Sequence, residues 1–152
     1  MINARAETVD EKTSFKRPLK EKRCLVLTNG FYEWKKVDTK TKIPYFVRLK
    51  NKKPFAFGGL WENWNKQGND LNTFTIITTS ANKLKEDIHD RMPVILGREG
   101  KYTWLEPDLK DNTLQLKEMF VPYPSDEMQV YEISTFVNSP RNNSPECIET
   151  VD

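Results

Sequence analysis

Short runs of aromatic and β-branched residues, separated by polar turns rich in Lys, Asn and Gly, dominate the chain from residue 24 to residue 79. Such runs are typical of β-strands, because these side chains pack well on a pleated, half-buried surface. Asn29-Gly30 is a strong turn dipeptide and predicts a β-hairpin between the first two strands. The spacing of the runs is that of a meander. The predicted strands cover residues 24–28, 31–34, 45–49, 55–61 and 74–79.

Three segments outside these runs have helical character. Residues 4–15 are rich in helix formers and predict a short surface helix that ends before Pro18, because proline interrupts a helix. Residues 81–87 predict a brief helix capped near Ser80. Residues 113–120 predict a third helix. In that helix we expect the apolar side chains to face the core, namely Leu114, Leu116, Met119 and Phe120.

A last strand is predicted at residues 130–133, and residues 137–149 read as loop. Strands followed by short helices, without regular βαβ alternation, indicate an α+β fold. We therefore predict a mainly antiparallel, barrel-like β-sheet with short flanking helices.

The 152 residues fit one domain, residues 1–152, which is long enough to bury roughly 70% of its unfolded surface. Cys24 and Cys147 lack metal-ligand spacing and give no disulfide framework, so a reduced, intracellular protein without a metal or cofactor is expected. No apolar run approaches the roughly 20 residues of a membrane helix, and no hydrophobic signal core begins the chain, so we expect no membrane association and no export.

Charge is distributed unevenly along the chain. Residues 1–55 carry 15 Lys/Arg against 6 Asp/Glu, whereas the remainder carries 9 against 16. The basic part suits a polyanionic partner such as nucleic acid, although an ordinary solvated surface gives the same pattern. Arg5 and Arg91 are candidates for phosphate contacts, because a guanidinium group matches phosphate oxygens in a bidentate way. The alternative for each is a surface ion pair.

Glu33 and His89 are the candidates for proton transfer. Glu33 lies between Tyr32 and Trp34, so strand alternation places it on the face opposite both aromatics, towards either solvent or a pocket. In a pocket, it could exchange protons near neutral pH. His89 is the single histidine, so any imidazole chemistry must use it, although a lone histidine is more often a surface or hydrogen-bonded structural residue.

The four tryptophans have two alternative roles. As aromatic platforms they could stack on unpaired bases, and as large apolar side chains they could fill the core, which is the expectation for most of them. They are Trp34, Trp61, Trp64 and Trp104.

Seven motifs occur in a family-specific order and spacing over almost the whole chain. They are NARAET (3–8), RCLV (23–26), GFYEW (30–34), PFAFGGLWE (54–62), TTSAN (78–82), IHDRMPVIL (88–96) and PECIE (145–149). In these motifs the sequence closely resembles the SOS-response-associated peptidase (SRAP) family, the abasic-site processing proteins.

The resemblance implies a groove for single-stranded DNA containing abasic sites. It also implies an N-terminal cysteine whose amine forms a Schiff base with the abasic aldehyde and whose thiol then closes a thiazolidine ring, a covalent DNA-protein crosslink. By motif, Asn3 would hold the amine or sugar, Glu33 would shuttle protons, and His89 would assist proton transfer, including reversal. Arg5 and Arg91 would hold phosphates, and Trp34 would contact DNA.

The sequence departs from the family at its start. The family begins with Met-Cys-Gly-Arg and a segment before NARAET, whereas here NARAET starts at Asn3. We therefore expect a SRAP domain without its N-terminal segment, inactive by itself. In the complete protein the expected activities are crosslinking, lyase-like chemistry and autopeptidase cleavage. A thiol peptidase and a non-catalytic single-stranded DNA-binding module are the alternatives. A monomer is expected, in the bacterial cytoplasm near the nucleoid or in a eukaryotic nucleus.

Overall fold

The computed structural model describes residues 2–66 and 68–151. Within these residues, nine strands, three short α-helices and four short 3-10 helices make up the regular structure. The strands are β1 (Asn3–Arg5), β2 (Arg23–Thr28), β3 (Phe31–Lys36), β4 (Lys42–Leu49), β5 (Phe55–Lys66), β6 (Asn69–Ser80), β7 (Arg91–Pro93), β8 (Ile95–Leu96) and β9 (Met128–Glu132). The helices are α1 (Thr13–Glu21), α2 (Arg98–Leu105) and α3 (Thr113–Glu118).

The strands form two sheets. The larger sheet has the order β1-β6-β5-β2, with β7 paired to β6 and β8 paired to β5, and the smaller has the order β3-β4-β9. The β1–β6 pair is parallel, and the remaining pairs are antiparallel. Where β5 and β6 separate, Val94 bridges them, since its N–H donates to Ile77 and its carbonyl accepts from Gly58. A curled half-barrel sheet together with a few short helices confirms the predicted α+β class.

The predicted hairpin around Asn29-Gly30 is wrong. Strand β2 pairs with β5, and β3 pairs with β4, so this turn carries the chain from one sheet to the other. A type I′ hairpin needs positive φ at both central residues, and neither Asn29 nor Gly30 has it. A Cβ on Gly30 would overlap the Phe46 ring and come within 2.7 Å of the Val47 carbonyl. Glycine is needed here because the turn passes directly against β4.

The helix predicted over residues 4–15 is also wrong. Residues Asn3–Arg5 form β1, because buried Ala4 packs in the core and the segment finds its hydrogen-bond partners along β6. Tertiary pairing outweighs the weak local helix preference. The helix begins later, at Thr13, and continues through Pro18, whose ring is buried.

Two further predicted helices are corrected in part. Residues 83–88 form successive turns instead of a helix, in which the Asn82 carbonyl accepts from the N–H groups of Lys85 and Glu86. Helix α3 matches the prediction for residues 113–120, but Leu114 is 76% exposed while Leu116 is buried. The last strand is confirmed as β9.

Two apolar clusters form the core and meet along residues 91–96. Val94 and Leu96 pack in the cluster beneath the helices, which also contains fully buried Trp104. Met92 and Ile95 pack in the second cluster, between the two sheets. This double anchorage fixes the segment that begins at Arg91. Among the described residues, no helix is long and apolar enough to cross a membrane.

Candidate functional site

Glu33 lies on the inward side of β3, opposite Tyr32 and Trp34. Its Oε2 atom is 2.6 Å from Nζ of Lys85. The Lys85 side chain is fully buried, and the Glu33 side chain is 21% exposed. Burial lowers the pKa of Lys85, and its hydrogen bond to Glu33 acts in the opposite direction. Glu33 therefore faces a partly covered, charged interior instead of open solvent.

His89 lies at the end of the turns that follow Lys85. Its Nδ1 atom accepts a hydrogen bond of 3.0 Å from the backbone N–H of Arg91, so the neutral ring carries its proton on Nε2. Nδ1 also lies 3.1 Å from an Asp90 carboxylate oxygen, a contact that becomes an ion pair only in the protonated ring. We assign the hydrogen bond from the Arg91 N–H to the neutral ring, because a backbone N–H can only donate and Nδ1 must then accept. Nearly half of the side chain is exposed.

The Arg91 guanidinium is held by two partners. Its Nη atoms donate to both carboxylate oxygens of Glu7, at 2.6 and 3.0 Å, and Nη2 donates to the Thr78 carbonyl at 2.5 Å. The hydrogen bond from Arg91 holds the pKa of Glu7 below its ordinary value. Arg91 thus connects β6 and β7 to the turn after β1. A phosphate contact at Arg91 would have to compete with Glu7, and its DNA role remains a prediction.

Asn3 and Arg5 lie on the exposed face of β1, on either side of buried Ala4. Arg5 is in register with Thr78, the residue that Arg91 contacts from across β6. The two predicted phosphate-binding residues are therefore brought to one place in the fold, Arg5 exposed and Arg91 largely covered. The chemical roles of Asn3 and Arg5 remain predictions.

Trp34 lies on the opposite face of β3 from Glu33, because successive side chains of a strand point to opposite faces. Its indole Nε1 donates to Asn138 Oδ1 at 2.8 Å, and it lines a surface hollow with Lys40 and Lys42. The structure does not place it beside Lys85 or Glu33's carboxylate. Its predicted DNA contact remains untested by this geometry.

The other tryptophans are less buried than the sequence predicts. Trp104 is fully buried, but Trp61 and Trp64 are 39% and 53% exposed. Trp61 and Phe74 line an open apolar hollow of about 500 Å³, which lies beside α1 and away from Glu33 and His89. No group of three or more His, Cys, Asp or Glu residues that could hold a metal occurs within residues 2–66 and 68–151.

Sequence reasoning missed Lys85 and Glu7. A lysine is almost never fully buried without a partner, so its hydropathy predicts a solvated position. In the structure Lys85 is buried, whereas the neighbouring Leu84 is 37% exposed. Lys85 can be buried because it pairs with Glu33, which is 52 positions away in the sequence, so the local sequence does not predict its burial.

The chain matches the family model described as SOS response associated peptidase (SRAP) over residues 1–140. It is 55% identical to "Abasic site processing protein YoqW" of Bacillus subtilis (strain 168), over 99% of this chain and 67% of that protein. It is 36% identical to "Abasic site processing protein HMCES" of Pongo abelii, over 99% of this chain and 50% of that protein.

Among solved structures, a protein from Bacteroides thetaiotaomicron superimposes with a TM-score of 0.89 at 34% identity. The match covers 98% of this chain and 65% of that one. The chain thus spans between half and about two thirds of the length of these relatives.

Proposed function

The chain belongs to the SOS response associated peptidase (SRAP) family, and from that premise we propose that it forms the central part of a site that processes abasic sites in DNA. One observation carries the proposal: Glu33 of β3 is joined through Lys85 to the segment that carries His89 and Arg91, and the four residues form one polar cluster. Relatives named as abasic site processing proteins give the substrate class.

We further propose single-stranded DNA as the form that binds. An abasic sugar offers no base to read, so recognition has to rest on phosphate contacts and on stacking against neighbouring bases. Arg5 is the exposed cation for a phosphate, with Asn3 two residues before it on the same face of β1. Arg91 would supply a second cation next to Thr78.

The proposed chemistry is covalent. In the whole protein, the amine of an N-terminal cysteine attacks the abasic aldehyde and loses water to give an imine, and the thiol then adds across the C=N bond to close a thiazolidine. Glu33 accepts and returns protons in these steps, and His89 transfers a proton through Nε2. Cys24 and Cys147 cannot take this role, because their amines lie in peptide bonds.

A thiol peptidase is the second candidate, which the description of the family model favours. The same carboxylate and imidazole would then assist cleavage of a peptide bond. The two candidates differ in substrate, so a direct comparison separates them.

The test incubates the whole protein with three substrates: a single-stranded abasic oligonucleotide, the same oligonucleotide carrying a stable analogue without an aldehyde, and a peptide library. We expect a heat-stable adduct on a denaturing gel from the first substrate alone. Absence of an adduct from the aldehyde substrate would contradict the proposal. Peptide cleavage without an adduct would favour the peptidase.

A further inference from the structure

Lys85 carries a buried charge that the proposed chemistry does not use directly. Its side chain has no exposed surface. An ammonium in such a place costs considerable free energy unless it is paired and hydrogen-bonded. Burial lowers its pKa, while Glu33 and, more weakly, Asp90 favour the charged form. Because Nζ is enclosed, it cannot reach a DNA aldehyde, so Lys85 is not a nucleophile.

The contacts of Lys85 connect both candidate proton-transfer residues. Its Nζ contacts Glu33 Oε2 and donates to the backbone carbonyl of Arg91. Its own backbone carbonyl accepts from the N–H of His89 at 3.0 Å. Glu33 is thus held by the side chain of Lys85, and His89 by its main chain.

The position of Lys85 is itself fixed. Its backbone N–H donates to Asn82, whose side chain is buried and donates in turn to the Tyr123 carbonyl at 2.7 Å. A buried residue with partners at both ends loses little further conformational entropy when it orders its neighbours. It therefore fits a role in holding geometry.

We propose that Lys85 is a positioning residue, whose buried ammonium fixes the Glu33 carboxylate relative to His89 and Arg91. This inference rests on the proposed function. Lys85 acts through Glu33 and does not touch DNA, so its removal slows the covalent step and leaves DNA affinity unchanged. Positioning of reacting groups has large effects, since a displacement of about 1 Å can cost about 100-fold in rate.

The experiment uses the whole protein and four variants: Lys85→Met, Glu33→Gln, the double variant, and the control Lys83→Met. Lys83 is an exposed lysine in the same turn segment, so its variant removes the same charge from the surface. Single-turnover rates of adduct formation at saturating abasic oligonucleotide are measured beside the Kd for that oligonucleotide and the thermal midpoint.

We expect Lys85→Met to slow adduct formation by about 10- to 100-fold, with Kd within about twofold, and Lys83→Met to match the wild type. In the Glu33→Gln background, Lys85→Met should cost no further rate, because its effect passes through the carboxylate. The double variant should have a higher thermal midpoint than Glu33→Gln, whose Lys85 is left without its anion.

Three results would overturn the inference: a wild-type rate in Lys85→Met, the same fold loss in both backgrounds, or a loss carried entirely by Kd. If Lys85→Met fails to fold, the rate of the double variant is compared with that of Glu33→Gln. An equal rate supports the positioning role, and a further loss of rate contradicts it. A wild-type protein that forms no adduct would contradict the proposed function, whereas a normal wild type with a normal Lys85→Met contradicts the positioning role alone.

Discussion

The site has two regions that treat their charged and polar groups differently. The inner network consists of Glu33, Lys85 and Arg91, whose side chains are 21%, 0% and 16% exposed. The outer rim consists of Asn3, Arg5 and His89, which are exposed. Inner groups are paired with one another or with protein partners, whereas Arg5 and Asn3 face solvent.

This difference separates two tasks. Buried, paired charges resist displacement, because breaking one pair leaves the partner unsatisfied. Mutation of an exposed cation costs little stability, and an exposed cation can replace its bound water with a phosphate. Changes in the inner network should therefore lower stability and rate, and removal of the exposed rim cation Arg5 should lower DNA binding.

Outside the pair of Lys85 and Glu33, the largest effect on stability is expected from Arg91→Ala. Removal of the guanidinium takes the two Nη donors from the Glu7 carboxylate. It also takes one of two donors from the Thr78 carbonyl, which keeps the N–H of Ala6. We expect the free energy of unfolding to fall by about 2 kcal/mol, since hydrogen bonds to charged groups contribute about 1.5–3 kcal/mol and Glu7 is half exposed. Urea unfolding measures this. Arg5→Ala is the matched control, and an equal loss in both variants would remove the distinction between network and rim.

For DNA binding, Arg5→Ala should have the clearer effect. Loss of one phosphate contact should weaken single-stranded DNA binding and reduce the slope of log affinity against log salt by about 1. Arg91→Ala should act in the same direction if Arg91 exchanges Glu7 for a phosphate. Glu33→Gln should keep the wild-type slope. Fluorescence anisotropy at several salt concentrations provides the measurement, and unchanged slopes in both arginine variants would show that the groove is elsewhere.

A smaller effect is expected at acid pH from the pair of Glu7 and Arg91. Because Arg91 lowers the pKa of Glu7, the stability from this pair is fully present above the ordinary carboxyl pKa of 4.5 and is lost as pH falls through the folded value. Glu7 is 54% exposed, so the contribution should stay below about 1 kcal/mol. Wild type and Glu7→Gln should differ at pH 7 and converge once the pH falls below the lowered pKa of Glu7 in the folded protein. A difference that persists in acid would mean that Glu7 contributes by packing.

The smallest effect is expected from the two cysteines. Cys24 is half-buried, with a pKa raised by burial, and Cys147 is buried with its Sγ donating to the Asn142 carbonyl. A thiol with a raised pKa is a poor nucleophile near neutral pH. The whole protein with both residues changed to Ser should still form the adduct on a denaturing gel. Loss of the adduct from a folded double variant would contradict an N-terminal thiazolidine.

Sequence reasoning located the strands better than the contacts between distant segments. Alternation in GFYEW places Glu33 opposite its aromatic neighbours, and the structure confirms this. The α+β class follows because local strand patterns survive into the fold. Partners of strands do not follow from local pattern, which is why Asn29-Gly30 was misread as a hairpin.

The pairing of Lys85 with Glu33 could not be predicted for a related physical reason. Lys85 and Glu33 become neighbours only after the turn segment packs over β3, and both lysines of NKLKED read as solvated. Residues 4–15 show the same effect, since pairing with β6 overrides their helix propensity. Contacts between distant segments, not local preference, decide both cases.

The most direct test of the account follows formation and release of the adduct by the whole protein and its Glu33→Gln and His89→Gln variants. The account predicts that Glu33→Gln slows formation by about 100-fold or more, the usual range for loss of a general acid or base. His89→Gln should form the adduct at close to the wild-type rate and release it more slowly. Wild-type formation and release in both variants, with the proteins folded, would contradict the assignment of Glu33 and His89 to proton transfer.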